Sequence, residues 1–132
     1  MSARLSARAA QRLIAAPFLV LGGACLLFPG LVERLSVTPQ YYRGDVAAAV
    51  YIGCFGAQAV LAGLFSAFSQ FTRTTFLVYG LALLPFFVFD YWFVFVVPVF
   101  NRWLLLDFAA NLAMLALCAI GYRASNFNGL DG

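Results

Sequence analysis

Four apolar runs, each near the length that crosses a bilayer, decide what this chain can become. They cover about residues 9–28, 46–68, 74–97 and 104–122. A spanning helix needs about 20 predominantly apolar residues. Within hydrocarbon every backbone N–H and C=O must find a partner inside the protein, which makes helices the default. A membrane β-barrel would need alternating apolar and polar residues, and these runs lack that alternation. The 132 residues are 64% hydrophobic and only 10% charged, whereas a soluble domain is near half apolar and about a quarter charged. Lipid is therefore the expected solvent for much of the surface. The sequence predicts an all-α fold: one domain over residues 1–132, an integral membrane four-helix bundle.

The first run needs a closer reading, because a basic start followed by an apolar core also describes a secretory signal. Leu21 to Cys25 reads LGGAC, loosely like a lipoprotein processing site, but Gly22 stands where an aliphatic residue is usual. The run is expected to be a true first span, extending back through Arg12 and Arg8 and ending at Pro29-Gly30, a helix-stopping pair.

Arginine placement predicts the threading. Arg4, Arg8, Arg12, Arg73 and Arg123 fall on one side of the membrane, and Arg34, Arg43 and Arg102 on the other. The side richer in basic residues is the inner one, so both termini are expected in the cytoplasm, or in the matrix if the membrane is mitochondrial. The bacterial inner membrane is the first expectation and the mitochondrial inner membrane the alternative, since the N-terminal arm is acid-free, Arg-rich and Ser-bearing. Arg4, Arg8 and Arg12 recur every four residues and share a helix face. That face is expected either simply to set topology or to meet anionic headgroups, at about 1 kcal/mol per residue.

Several chemistries are excluded or unsupported. The chain has no histidine, which removes the commonest metal ligand, proton shuttle and haem ligand. Cys25, Cys54 and Cys118 sit singly in separate apolar runs, without ligand spacing, and read as small buried hydrophobes. No metal and no cofactor are expected. A net charge of +3, scattered along the chain, lacks the clustered basic footprint of a nucleic-acid binder. Ser36 and Thr38 have no histidine or lysine beside them to activate a nucleophile, so no catalytic residue is assigned.

The runs differ in texture. The second carries small residues every four positions, Ala49, Gly53 and Ala57, then Ala59, Gly63 and Ala67. Such stripes let helix backbones approach closely in lipid, and because they fall on more than one face this helix is expected to be central. In the fourth run Asn111 is expected to bond a neighbouring helix, for about 1 kcal/mol. The third run is crowded with rings, and Phe86, Phe89, Trp92 and Phe93 are expected to face lipid or a partner chain. Pro85 removes one helical hydrogen bond there.

The same run keeps one carboxylate, Asp90. It lies 16 residues past Thr74, about 24 Å along a helix, which puts it near the outer edge of the membrane core. Asp45 and Asp107 stand at helix starts, where the dipole favours them, whereas Asp90 stands near a helix end and needs a counter-charge. Two readings follow. Asp90–Arg102 and Asp45–Arg43 or Asp107–Arg43 pairs tie helix ends together, or these five residues line an outward-facing site for a headgroup, quinone or small solute.

The layout resembles small DoxX-like four-helix bacterial membrane proteins. The resemblance rests on Phe28-Pro29-Gly30, on Tyr42-Arg43-Gly44-Asp45, on GCFGAQAVLAG at residues 53–63, on Arg73 alone in the inner loop, and on Asn111. Members of that group are mostly of unknown function, some linked to oxidoreductase or thiosulfate-related systems, and no catalytic residue carries over. The leading expectation is a structural or accessory subunit docked on a larger membrane complex, respiratory or otherwise energy-transducing, in contact with lipid and other membrane subunits. The alternative is a small-molecule, lipid or quinone binder or transporter using the Asp/Arg cluster.

Overall fold

The computed structural model describes residues 6–125, and within them the four apolar runs are helices. Helix α1 runs Ala7–Leu27 and a short α2 runs Pro29–Ser36. Helix α3 runs Val46–Phe68, α4 runs Arg73–Tyr91, and α5 runs Leu105–Ala124. A wide π-turn, Trp92–Val96, extends α4, and a 3₁₀ turn, Arg102–Leu104, leads into α5. Four of these stretches, Ala7–Leu27, Val46–Phe68, Arg73–Val96 and Arg102–Ala124, are long and apolar enough to cross a membrane.

Local chemistry sets the helix ends. Ser6, Asp45 and Thr72 cap α1, α3 and α4 by accepting from the third backbone N–H beyond each, which satisfies donors that have no partner inside the helix. Thr75 returns the favour to the Thr72 N–H at 3.2 Å, closing a reciprocal box. Phe28 breaks α1 because Pro29 follows it, and Pro29 is well placed as the first residue of α2. Pro85 lies inside α4, which continues through it as helix.

Helix α1 is the shared element: it packs along α3, also packs on α5, and α5 in turn packs on α4. This corrects the expectation that α3 is central. Its two small-residue stripes have different fates. From the second, Ala59 and Gly63 meet α1 together with Gly56: a Cβ at Gly22 would stand 2.6 Å from that of Ala59, and one at Gly56 would stand 2.7 Å from the Gly22 carbonyl oxygen. In the other stripe Ala57 is exposed and Ala49 and Gly53 are half-buried, and a Cβ at Gly53 would meet nothing within 4 Å. The apolar core lies instead where α1, α4 and α5 converge, around Ile14, Phe76, Leu83, Met114 and Cys118.

Polar ties close the two ends of the bundle. At one end buried Gln11 donates to the carbonyls of Ser66 at 2.7 Å and Ser69 at 2.5 Å, and its oxygen accepts from Phe71 N at 3.2 Å. Ser66 and Tyr79 share a 3.0 Å hydroxyl bond between α3 and α4, and Arg73 donates to the Tyr122 hydroxyl at 2.7 Å. At the other end α2 and the segment after it lie against the connection from α4 to α5. Thr38 N donates to Val99 O at 2.9 Å and Asn101 N to Ser36 O at 2.8 Å, while Asn101 Nδ2 reaches Leu35 O at 2.6 Å. Between these ends α3 and α4 barely touch along their lengths, leaving a seam over the floor made by α1 and α5.

If the α1–α3 approach depends on missing side chains, Gly56→Val lowers stability by about 1–3 kcal/mol through overpacking. Gly53→Ala leaves stability unchanged or slightly higher, since alanine is the better helix former. Thermal melting of the lipid-reconstituted protein, followed by circular dichroism, compares the two; equal melting points would remove the argument.

Candidate functional site

The seam between α3 and α4 opens onto a cleft of about 220 Å³. Its apolar lining comes from all four long helices and includes Pro17, Phe18 and Gly22, Phe55, Ala59 and Ala62, Phe86, and Met114. Three polar side chains interrupt it: Gln58 on α3 and Asp107 and Asn111 on α5. The cleft is thus a mostly apolar cavity with a few convergent polar groups, the usual composition of a small-molecule site. A second hollow, along Leu61, Leu64, Phe65 and Phe68, lies on the exposed side of α3 and offers no comparable chemistry.

Asp90 stands directly behind the polar wall. It is 2% exposed and Asn111 3%. The Asn111 side-chain nitrogen donates to Asp107 Oδ2 at 3.0 Å and to Asp90 Oδ2 at 3.4 Å. Asn111 and Asp107 are four residues apart on one helix, so they share a face, and the last turn of α4 brings Asp90 to the same amide. An amide nitrogen has two protons to give, and here both go to carboxylates. Asp90 Oδ1 has no hydrogen-bond partner although it is buried.

Electrostatics make this arrangement unusual. Two carboxylate oxygens that bond one nitrogen are at most about 6.4 Å apart, and like charges at that range repel by about 3 kcal/mol at an effective dielectric of about 20. Burying either charge without a partner costs several kcal/mol more. Among the described residues no arginine comes within ion-pairing reach of either acid; the one side-chain ion pair there is Arg43–Asp45, at 2.9 Å. None of the described basic residues supplies the compensating positive charge, which leaves a place for a proton or a cation.

This redraws the expected cluster of Asp90, Arg102, Asp107, Arg43 and Asp45. Asp90 and Asp107 do converge, but on Asn111, so the expected Asp90–Arg102 and Asp107–Arg43 pairs are not formed. Arg102 is exposed at the start of its 3₁₀ turn, while Asp90 points into the bundle. Asn111, expected to act as interhelical glue, links α5 to α4 through a carboxylate rather than through backbone. Arg43 and Asp45 pair with each other in the loop before α3, apart from the buried acids.

The remaining candidates fall as follows. Gly63 and Asn111 make packing contacts inside the bundle, whereas Ala57 is exposed and half-buried Gly53 has open space above it. Phe86 lines the cleft and Trp92 is exposed. Phe89 and Phe93 lie against each other with centroids 4.7 Å apart, and Phe89 also approaches Phe100 at 6.3 Å, so those rings are partly one another's environment. Arg8 and Arg12 are exposed on α1, and Arg4 lies outside the described residues.

Sequence reasoning missed three polar residues. Gln11 and Gln58 are amides within apolar helices, and the rule that such groups need partners applied to Asn111 points to them equally. Glu33 is 3% exposed and accepts from Arg43 N at 2.9 Å and Gly44 N at 3.1 Å. Gly44 carries a positive φ of 63°, the conformation that glycine adopts freely. A glycine after an arginine in a polar loop was the available signal, but nothing in the sequence says that Glu33 would receive the turn's N–H groups.

Asp45 titrates below the ordinary carboxylate value of 3.8, chiefly because the Ala48 N–H donates to it and then because the Arg43 side chain does. A lowered folded value stabilises the protein above the unfolded value, and that contribution disappears as acidification passes through the folded one. Asp45→Asn keeps a capping oxygen without the charge. Its melting point should therefore fall less steeply than that of the wild type between about pH 4 and pH 2; parallel curves would show that the charge contributes nothing.

The chain matches no family model, no curated protein and no solved structure.

Proposed function

We propose that this chain is a membrane-embedded binding protein for a small lipid-soluble molecule, taken up in the cleft between α3 and α4 and anchored at Asp107 and Asn111, with Asp90 behind them. One observation carries the reading: a buried and a half-buried carboxylate, Asp90 and Asp107, share a single amide with no basic partner among the described residues, beside an apolar cleft. Packing alone does not favour that arrangement, since apolar replacements of buried charge are often neutral or stabilising. An ionisable group within a span is a functional hypothesis by default. The arginine distribution supports an inner placement of both termini, which would put the α2 end and the acids toward the outer leaflet.

The test compares the native chain with Ala62→Phe, which fills the cleft with a ring, and with Asp107→Asn. Native mass spectrometry of protein released from its own membrane should show a small-molecule adduct on the wild type and none on Ala62→Phe. Asp107→Asn should lose the adduct while melting at the same or a higher temperature, as functional sites held at the expense of stability do. A bare wild-type chain, or a destabilised Asp107→Asn that keeps its adduct, would count against the proposal.

A second reading, the accessory subunit, is favoured by a different observation. The stripe of Ala49, Gly53 and Ala57 has open space over Gly53, and such stripes commonly receive another helix in lipid. On this reading Gly53→Leu folds normally but releases the chain from a larger particle on native electrophoresis of gently solubilised membranes. A wild type that already migrates alone would end it.

A further inference from the structure

The kind of head group that the cleft accepts follows from what its polar wall lacks, and this inference rests on the binding role proposed above. Asn111 gives both its amide protons to carboxylates. Asp90 Oδ1 is buried and has no donor, and the bond to Asp90 Oδ2, at 3.4 Å, is at the long limit for this interaction. Asp107, the acid that lines the cleft, accepts only from that same amide among the described residues, so what the cleft's wall still needs is hydrogen-bond donation. Neither acid is neutralised by an arginine among the described residues, where the one side-chain ion pair lies elsewhere, at Arg43–Asp45.

We propose that the cleft binds an amphiphile whose head is a protonated amine bearing N–H groups. The ammonium lies at Asp107, in the field of both carboxylates, and the apolar tail lies in the seam against Phe55 and Phe86. An ammonium supplies a compact charge and up to three donors. A neutral hydroxyl supplies one donor and no charge. A quaternary ammonium supplies charge and no donor, so it gives Asp107 no hydrogen bond. A bare metal cation takes six or more oxygen ligands when it is Ca²⁺ or Mg²⁺, and it would leave the apolar length of the cleft empty. The seam faces the flank of the bundle rather than its tied ends, which suits a molecule arriving from the bilayer.

The experiment uses the full chain in nanodiscs of zwitterionic lipid, where no anionic lipid competes for the amine. Radiolabelled dodecylamine is bound to equilibrium, and binding to empty discs is subtracted. Dodecanol, N,N,N-trimethyldodecylammonium and sodium chloride serve as competitors. Saturable binding of dodecylamine is expected, with the trimethyl compound weaker by on the order of tenfold for its missing donors, and with dodecanol and sodium weaker still. Asp107→Asn should weaken binding by on the order of a hundredfold, as when one partner of a buried charge pair is removed.

Equal competition by the trimethyl compound or by dodecanol would overturn the head-group assignment while leaving the cleft as a binding site. Displacement by sodium at low millimolar concentration would replace it with a bare-cation site. Binding no greater than to empty discs, or unchanged in Ala62→Phe, would overturn the cleft itself and the proposed function with it. The competitor series on the wild type and the Ala62→Phe result decide the matter even if Asp107→Asn does not fold.

Discussion

The close approach of α1 and α3 at Gly22 and Gly56 is the interaction from which the rest of the structure follows. In lipid there is no hydrophobic drive between helices, so contact must come from packing and polar ties. The glycine crossing draws α3 onto α1 and away from α4. Because α4 is full of rings, it meets α5 through Phe76, Leu83, Met114 and Cys118 and offers α3 no comparable surface. The seam between α3 and α4 is the geometric result of these two preferences, and the cleft is the space they leave. Helix α5 then presents Asp107 and Asn111 to that space, which a tighter α3–α4 contact would have covered.

The charges divide by environment. Arg43, Asp45 and Glu33 organise the loop before α3, where backbone N–H groups supply most of the partners. Arg73 lies over Tyr122 at the opposite end, its guanidinium 4.3 Å from the ring centroid. These groups have conventional structural roles and local partners. Asp90 and Asp107 do not, since their common partner is a neutral amide. That contrast separates the two acids from the rest of the polar inventory more clearly than their position along the chain does.

The helices were legible because each run is long, apolar and punctuated by Pro, Gly or a capping residue, and these local signals suffice in lipid. The stripe at Ala59, Gly63 and Ala67 was legible as a packing device, but its partner, and the Gly56 that shares the contact, were not. Two stripes on one helix look alike in sequence, and only the position of α1 decides which is covered. The acids were legible as a cluster, yet the expected arginine partners were chosen by side of the membrane, which says nothing about which way a side chain points around its helix. Asp90 lies on the inward face of α4 with Phe76, Gly80 and Leu83, a register that the uniformly aromatic third run conceals. The π-turn at Trp92–Val96 likewise left no mark in the sequence, because it replaces one helical pattern with another at the same hydropathy.

The ties at the two ends of the bundle have a mechanical meaning. Gln11 and the Ser66–Tyr79 bond hold one end of the seam, and the Thr38 and Asn101 bonds hold the other by joining the α2 segment to the α4–α5 connection. A slit fixed at both ends widens by bowing of its sides, not by swinging on a hinge. In α4 the side that would bow already contains Pro85, a break in the ladder of backbone bonds, and ends in a turn wound wider than an α-helix. On the binding role proposed above, passage of a molecule through the seam would be limited by how readily one helix bends under the lateral pressure of surrounding lipid, and membrane tension and acyl-chain order would become variables of that binding.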